Sequence, residues 1–227
     1  MCRAFAMEVK PEIAGTSVVV LGSFNPAIVQ PAWLAKNGLV PPSEAESVDL
    51  DAVHDEFVRA SFPWGTVQTM RDRFEVSTTD EAPSAEPIRD LAVGALDLLP
   101  HTPVTGFGIN HWAHYRTESE EAWHALGFRL VPRSNWEGIL EKPGMLAASV
   151  RGVRPDDRPG AVNVTVQPSG KVAHGVFVTV NDHFALKTDD EEHAASEAST
   201  LLKAVWNDSV TMARQIHVRV MEGPHAD

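Results

Sequence analysis

Asn110-His-Trp-Ala-His-Tyr-Arg116 is the segment richest in groups that could do chemistry. It brings imidazole, indole, phenol, amide and guanidinium groups into one short run. On a strand, successive side chains alternate between faces. His111, Ala113 and Tyr115 then share one face, while Asn110, Trp112, His114 and Arg116 share the other. His111 and His114 point apart and do not grip one metal ion. The second set is a row of polar and aromatic groups, and Trp and Arg are frequent anchors at binding surfaces. Asn110, Trp112, His114 and Arg116 are therefore the candidate binding residues. The plainer expectation for the same row is a half-solvated sheet face.

Other constellations carry less. Asn181-Asp-His183 follows a valine-rich run and, with His174, could supply a His/Asp pair for acid–base work. Adjacent residues diverge, however, and Asn-Asp suits a turn that closes the strand. His54-Asp55-Glu56 has ligand-type side chains but reads as a solvated strand start. GxxxxGK[ST], GxGxxG, GxSxG, HExxH and paired CxxC patterns do not occur. The signatures of phosphate cradles, nucleophile elbows and zinc sites are thus missing. No catalytic residue, metal-ligand set or cofactor is assigned. Arg129, Arg133, Lys142, Arg151, Arg154 and Arg158 form a local basic bias that Glu137, Glu141, Asp156 and Asp157 dilute. Interspersed charge of this kind is what an ordinary soluble surface carries.

Composition bounds the rest. The chain has 227 residues, 43% hydrophobic and 22% charged, which is ordinary for a folded protein. Such a length buries roughly 70% of the surface of the unfolded chain. Asp and Glu number 31 against 19 Lys and Arg, a net charge of −12. That balance argues against a general nucleic-acid or anionic-membrane binder, because steering to phosphate needs a positive field. The single cysteine, Cys2, closes no intramolecular disulfide and builds no thiolate cage. Met1 to Lys10 lacks a continuous apolar leader, and the longest apolar runs, such as Val18 to Leu21, are strand-sized. The expectation is a cytoplasmic protein without a membrane partner.

The elements that must position the row follow from hydrophobic period. Thr16 to Phe24 is β-branched and ends at Asn25-Pro26, a strand and a stop. Pro31 to Asn37 is a short helix with Gly38 at its end, and Pro41 to Ser47 reads as loop. Glu56 to Ser61 and Thr66 to Thr79 read as strands, the latter divided near Arg71-Asp72. Asp80 to Ala85 is loop, and Glu86 to Leu99 has apolar residues at helical spacing. Val104 to Tyr115 is a strand. Thr117-x-x-Glu120 predicts a capping box for a helix that Gly127 ends, and Ser134 to Leu140 holds a further turn. Met145 to Val153, Ala161 to Gln167 and Lys171 to Val180 are strands, with Val162/Val164/Val166 and Val176/Val178/Val180 at period two. Asn181 to Thr188 is expected to break the sheet. Asp189 to Val220 is a long helix, capped by Thr188-x-x-Glu191 with acids in its first turn. Its core stripe is Ala198, Leu201, Leu202, Val205, Met212, Ile216 and Val220, with Arg214, His217 and Arg219 suiting its C-terminal end. Leu202, Val205, Met212 and Ile216 are expected against the Val162 and Val176 strands.

The order of elements repeats. Trp33-Leu-Ala-Lys-Asn-Gly-Leu-Val-Pro41 aligns with Trp123-His-Ala-Leu-Gly-Phe-Arg-Leu-Val-Pro132 with one insertion, and each follows a strand ending in Asn, at Asn25 and Asn110. The expectation is an α+β fold in one domain, 1–227. Two pseudo-repeated β-α-β(n)-α halves, about 16–100 and 101–220, would form a curved antiparallel sheet with two longer helices packed on one face. This order resembles the fold of the TATA-binding protein, a saddle of one curved antiparallel sheet under two long helices. The resemblance covers Thr16 to Val220 in element order, implies that fold, and carries over no functional residue. The build is also similar to some bacterial soluble proteins of unassigned activity, which implies none here.

Two functional readings follow. The first is a non-enzymatic binding or assembly protein acting through protein–protein contacts, its partner another protein or a second copy. The alternative is a small-molecule or nucleotide-binding module, with hydrolytic activity left open, using a groove between the two halves.

Overall fold

Alternation of β-branched and polar residues builds most of the molecule. A computed structural model describes residues 9–54, 56–78, 84–186 and 193–223, with the backbone alone at 49–54. Cys2, Asp55, most of the 80–85 loop and the Thr188-x-x-Glu191 cap with its acidic run lie outside the described residues.

The elements, in order, are β1 (Ile13–Gly22), α1 (Pro31–Lys36), α2 (Pro42–Ser47), β2 (Asp49–His54), β3 (Phe57–Phe62), β4 (Gly65–Met70), β5 (Arg73–Thr78) and α3 (Glu86–Leu98). Then come β6 (Val104–Arg116), α4 (Glu120–Leu130), a 3-10 turn (Arg133–Asn135), β7 (Ala148–Val153), β8 (Gly160–Pro168), β9 (Gly175–Ala185) and α5 (Ala194–Glu222). Among the described residues, all nine strands join one sheet in the order β2-β3-β4-β5-β1-β6-β9-β8-β7. Each neighbouring pair is antiparallel. The α+β class and the antiparallel sheet agree with the period-two patterning. No helix of the described residues is long and apolar enough to cross a membrane.

Register aligns the core. Val18 pairs with Val76 and Ile109, and Val20 with Phe74 and Phe107. These residues share one buried cluster with Leu91, Ala92 and Leu96 of α3 and Ala198, Leu202, Val205 and Trp206 of α5. Burying each large apolar side chain contributes roughly 1.5–3 kcal/mol, so this cluster dominates the stabilisation. The α5 stripe divides along its length. Leu202 and Val205 meet this large cluster, whereas Met212 and Ile216 are half-buried against Val162 and Val180.

Several expectations are corrected. Pro41 to Ser47 is not all loop: Pro42 starts α2, where its missing N–H and fixed φ suit a first helical turn. β2 precedes the strand expected at 56–61. Gly127 does not end α4, which runs on to Leu130. Its cap is Ser119, whose side chain accepts from the Ala122 N–H, rather than Thr117. The Thr117 hydroxyl instead donates to the carbonyls of Ser119 and His174. Asn181 to His183 neither turns nor breaks the sheet. Both β6 and β8 pair with β9 through these residues, and that two-sided ladder overrides local turn preference. Gly38, at φ +72°, does end α1 as expected of a left-handed C-terminal glycine.

Candidate functional site

β6 crosses the middle of the sheet between β1 and β9. Its alternation sends Phe107, Ile109, His111, Ala113 and Tyr115 toward the core, and Asn110, Trp112, His114 and Arg116 to the second face. The structure thus brings the four candidate residues onto one face and separates His111 from them.

Neighbouring strands extend Asn110 into a row that local sequence does not reveal. In register, Ser77, Ser17, Asn110, Asn181 and Asn163 lie side by side on β5, β1, β6, β9 and β8. Asn163 Nδ2 donates to Asn181 Oδ1 at 3.0 Å, and Asn181 Nδ2 to Asn110 Oδ1 at 2.6 Å. Asn110 Nδ2 completes the ladder by donating to Ser17 Oγ at 3.1 Å. Asn is a poor strand former, and cross-strand hydrogen bonds of this kind offset that preference.

The next row holds Gly15, Trp112, Thr179, Thr165 and Ser149. Trp112 leans across Gly15, where a Cβ would sit 2.1 Å from the indole, so any other residue there has to displace the ring. Lys171 Nζ lies 5.6 Å from the Trp112 ring centroid. His114 stacks on Phe177 with centroids 4.4 Å apart, and its Nδ1 is 2.7 Å from Ser169 Oγ. Arg116 forms a two-pronged pair with Glu12, donating from Nε to Oε1 and from Nη2 to Oε2. That hydrogen bonding holds the Glu12 carboxyl below its ordinary range and raises Arg116. The four candidates therefore differ. Asn110 and Trp112 are half-exposed, His114 is buried by its ring neighbours, and Arg116 is exposed but paired.

The titratable groups with the largest perturbations sit on the core side, where sequence reasoning missed them as a set. His111 Nδ1 is 3.3 Å from Thr16 Oγ1, and its Nε2 is 3.2 Å from Ser209 Oγ of α5. The Tyr115 hydroxyl is 2.8 Å from His217 Nδ1. His217 is thus buried in contact with the sheet rather than serving the exposed end of α5. Arg154 donates to Asp182, and its guanidinium lies 3.6 Å from the Phe184 ring centroid. Burial pushes His111 down to about 4, with the His217 charge a second cause, and burial alone pushes His217 to about 4. Burial raises Tyr115 to about 12. It also raises the Asp182 carboxyl, against the pull of Ser209 and Arg154. Ser209 and His217 are spaced eight apart on α5 and meet His111 and Tyr115 four apart on β6. That matched spacing was the available signal.

This core-side set does not assemble a nucleophile. Ser209 touches His111, but the other imidazole nitrogen faces Thr16 rather than a carboxylate, and Ser209 is 2% exposed. Among the described residues, no group of three or more His, Cys, Asp or Glu is placed to hold a metal ion. The basic stretch is largely engaged internally. Arg133 pairs with Glu137, Arg154 and Arg158 converge on Asp156, and Arg129 donates to the Val220 carbonyl. A groove of about 250 Å³ lies beside it, lined by Phe128, Trp136, Leu140, Met145 and Leu146 among others. It sits in the second half of the chain, while β1 and β6 join the halves by a continuous ladder.

No family model matches the chain, and the curated proteins include none that is significantly similar to it.

Proposed function

We propose that this is a non-enzymatic binding or assembly protein that meets a protein partner through the second face of its sheet. The observation that carries this reading is the amide ladder from Ser17 through Asn110 and Asn181 to Asn163. Each Asn amide has two N–H donors and an acceptor oxygen with two lone pairs. Within the ladder each amide N–H₂ uses one of its donors, so hydrogen-bonding capacity is left on a half-exposed surface. Neutral amides fixed on three strands beside Trp112, and tied to the Ser17 hydroxyl on a fourth, make a pre-organised platform, and pre-organisation lowers the entropic cost of association. The strongly perturbed groups, His111, His217 and Tyr115, are buried on the other side, which supports binding over catalysis.

The architecture supports the same reading. α3 and α5 share the core with one alternation of the strands, and their packing on that face leaves the other for a partner. The halves are read as one duplicated unit. β1 and β6 are adjacent central strands, each followed by a short helix carrying a Trp, then a meander, then a longer helix. Trp33 lies on α1 and Trp123 on α4.

The test is co-purification at native expression with wild type, Trp112→Ala and Thr179→Lys. Both substitutions fall on the second face. A stoichiometric protein partner should be retained by wild type and lost by both variants, with folded spectra unchanged. A partner kept by both variants, or a thermal shift with a metabolite or nucleotide and no protein partner, overturns the reading.

A further inference from the structure

Eight large apolar side chains are exposed among the described residues, and six of them fall between Trp136 and Val153. This segment leads into and forms β7, the last strand of the sheet. On the core side, a valine row crosses the sheet from Val180 through Val164 to Val150. Its exposure rises from 0% at Val180 to 67% at Val150, so the row stops at a bare edge. Val153, on the other face of the same strand, is 88% exposed.

Sheet edges in isolated proteins are normally guarded by charge, proline or irregular backbone. The opposite edge is: the register of β2 with β3 shifts between Leu50 and Ala52, an irregular backbone. β7 has neither proline nor lysine, its register with β8 is regular, and its one charged residue is Arg151.

We propose that β7 pairs antiparallel with β7 of a second copy about a two-fold axis at Val150, which makes one continuous sheet from two. Such an axis stands perpendicular to the sheet and preserves its faces, so each residue faces a residue of the same parity. With the axis at Val150, Val150 faces Val150, Ser149 faces Arg151, and Ala148 faces Gly152. The valine row then continues across the axis into its own copy, and each Arg151 has a hydroxyl opposite it. An axis at Arg151 sets two guanidiniums opposite one another, and no other axis on β7 sets Val150 against its own copy. Charge does not block this edge. The chain carries −12, but residues 129–158 hold six bases against four acids and are close to balanced, so two copies of an acidic chain meet here with little opposition. The proposal concerns a different surface from the amide ladder and stands without it.

Disulfide trapping tests it. Directly opposed residues in an antiparallel pair have Cα atoms about 4.5–5.5 Å apart, within disulfide reach. In a Cys2→Ser background, Val150→Cys should give a covalent dimer on mild oxidation. Val153→Cys should not, since its copies lie about 20 Å apart in this register at 3.3 Å per residue. Light scattering should find twice the 24.7 kDa chain mass for the unmodified protein. Val150→Lys, an exposed substitution that tolerates folding, should weaken the dimer at least tenfold while Trp112→Ala leaves it intact. A monomer at tens of micromolar, a dimer indifferent to Val150→Lys, or cross-linking at Val153 instead of Val150 overturns the proposal. So does a different protein found stoichiometrically on this edge.

Discussion

The two sides of β6 carry polar rows one residue apart, and they have opposite physical chemistry. On the core side, His111 and Tyr115 meet Ser209 and His217 of α5, and both imidazoles are driven far from their ordinary titration. On the second face, Asn110 joins Asn181 and Asn163 in a ladder with no ionisable member. Strand, register and neighbours are shared, so the difference comes from what covers each side. Desolvation under α5 perturbs the titratable groups, and the same cover keeps solvent from them. In this fold the largest pKa shifts mark structural burial, and the accessible side is chemically quiet.

The sharpest way to break this contrast is Arg154→Ala. It leaves the Asp182 carboxyl, 0% exposed, without its cation. Uncompensated buried charge costs about 3–5 kcal/mol, readable as a fall in the urea midpoint. A loss under about 1 kcal/mol would mean the core side is no more demanding than a surface.

Acid comes next. Folded, His111 and His217 bind protons more weakly, at about 4, than an ordinary imidazole at about 6.5. The unfolded chain therefore holds more protons between those values. The contribution of these histidines is complete above pH 6.5 and is lost as pH falls toward 4. At pH 5 the loss is about 2 kcal/mol per histidine. Asp182, raised by burial, works in the opposite direction, since its folded form takes up a proton more readily. Denaturant melts at pH 7 and 5 should show the fall, and a His111→Gln, His217→Gln variant should flatten it.

Smaller effects belong to the second face. Asn181→Ala removes the middle of the ladder and two hydrogen bonds, each worth about 1 kcal/mol net at most on a half-exposed surface. Chemical melts should therefore show a cost well below that of Arg154→Ala. Arg116→Ala breaks only exposed contacts, the pair with Glu12 and a 3.4 Å hydrogen bond to the Ala173 carbonyl, and its melting midpoint should match wild type. A marked drop for Arg116→Ala would make the second face as structural as the first.

Much of this arrangement was legible locally. Period two alone separated His111 from Asn110, Trp112, His114 and Arg116, and placed the Val162 and Val176 triplets toward a core. The joining of Asn181 and Asn163 to Asn110 was not legible, because the register between strands distant in sequence is not written in either strand. Asn181-Asp-His183 looked like a turn because its residues favour turns, yet pairing on both sides holds it extended. Gly127 looked like a stop because glycine usually follows a helix, but the chain lets α4 pass through it. Nothing local to Asp182 announces Arg154, whose partner lies 28 residues away.

The amide ladder has one further consequence. All three amides donate in the same direction, from β8 toward β1. Turning one Asn alone would set oxygen against oxygen and nitrogen against nitrogen, so the row reverses as a unit or not at all. It behaves as a line of coupled dipoles with two polarities. In the present one, Asn163 offers its oxygen at one end and Ser17 receives at the other. A group presenting an acceptor to Asn163 favours the reversed row, and the Ser17 hydroxyl must then become the donor. Strands stand about 4.8 Å apart, so a choice made at β8 is registered roughly 14 Å away at β1, without any strand having to move.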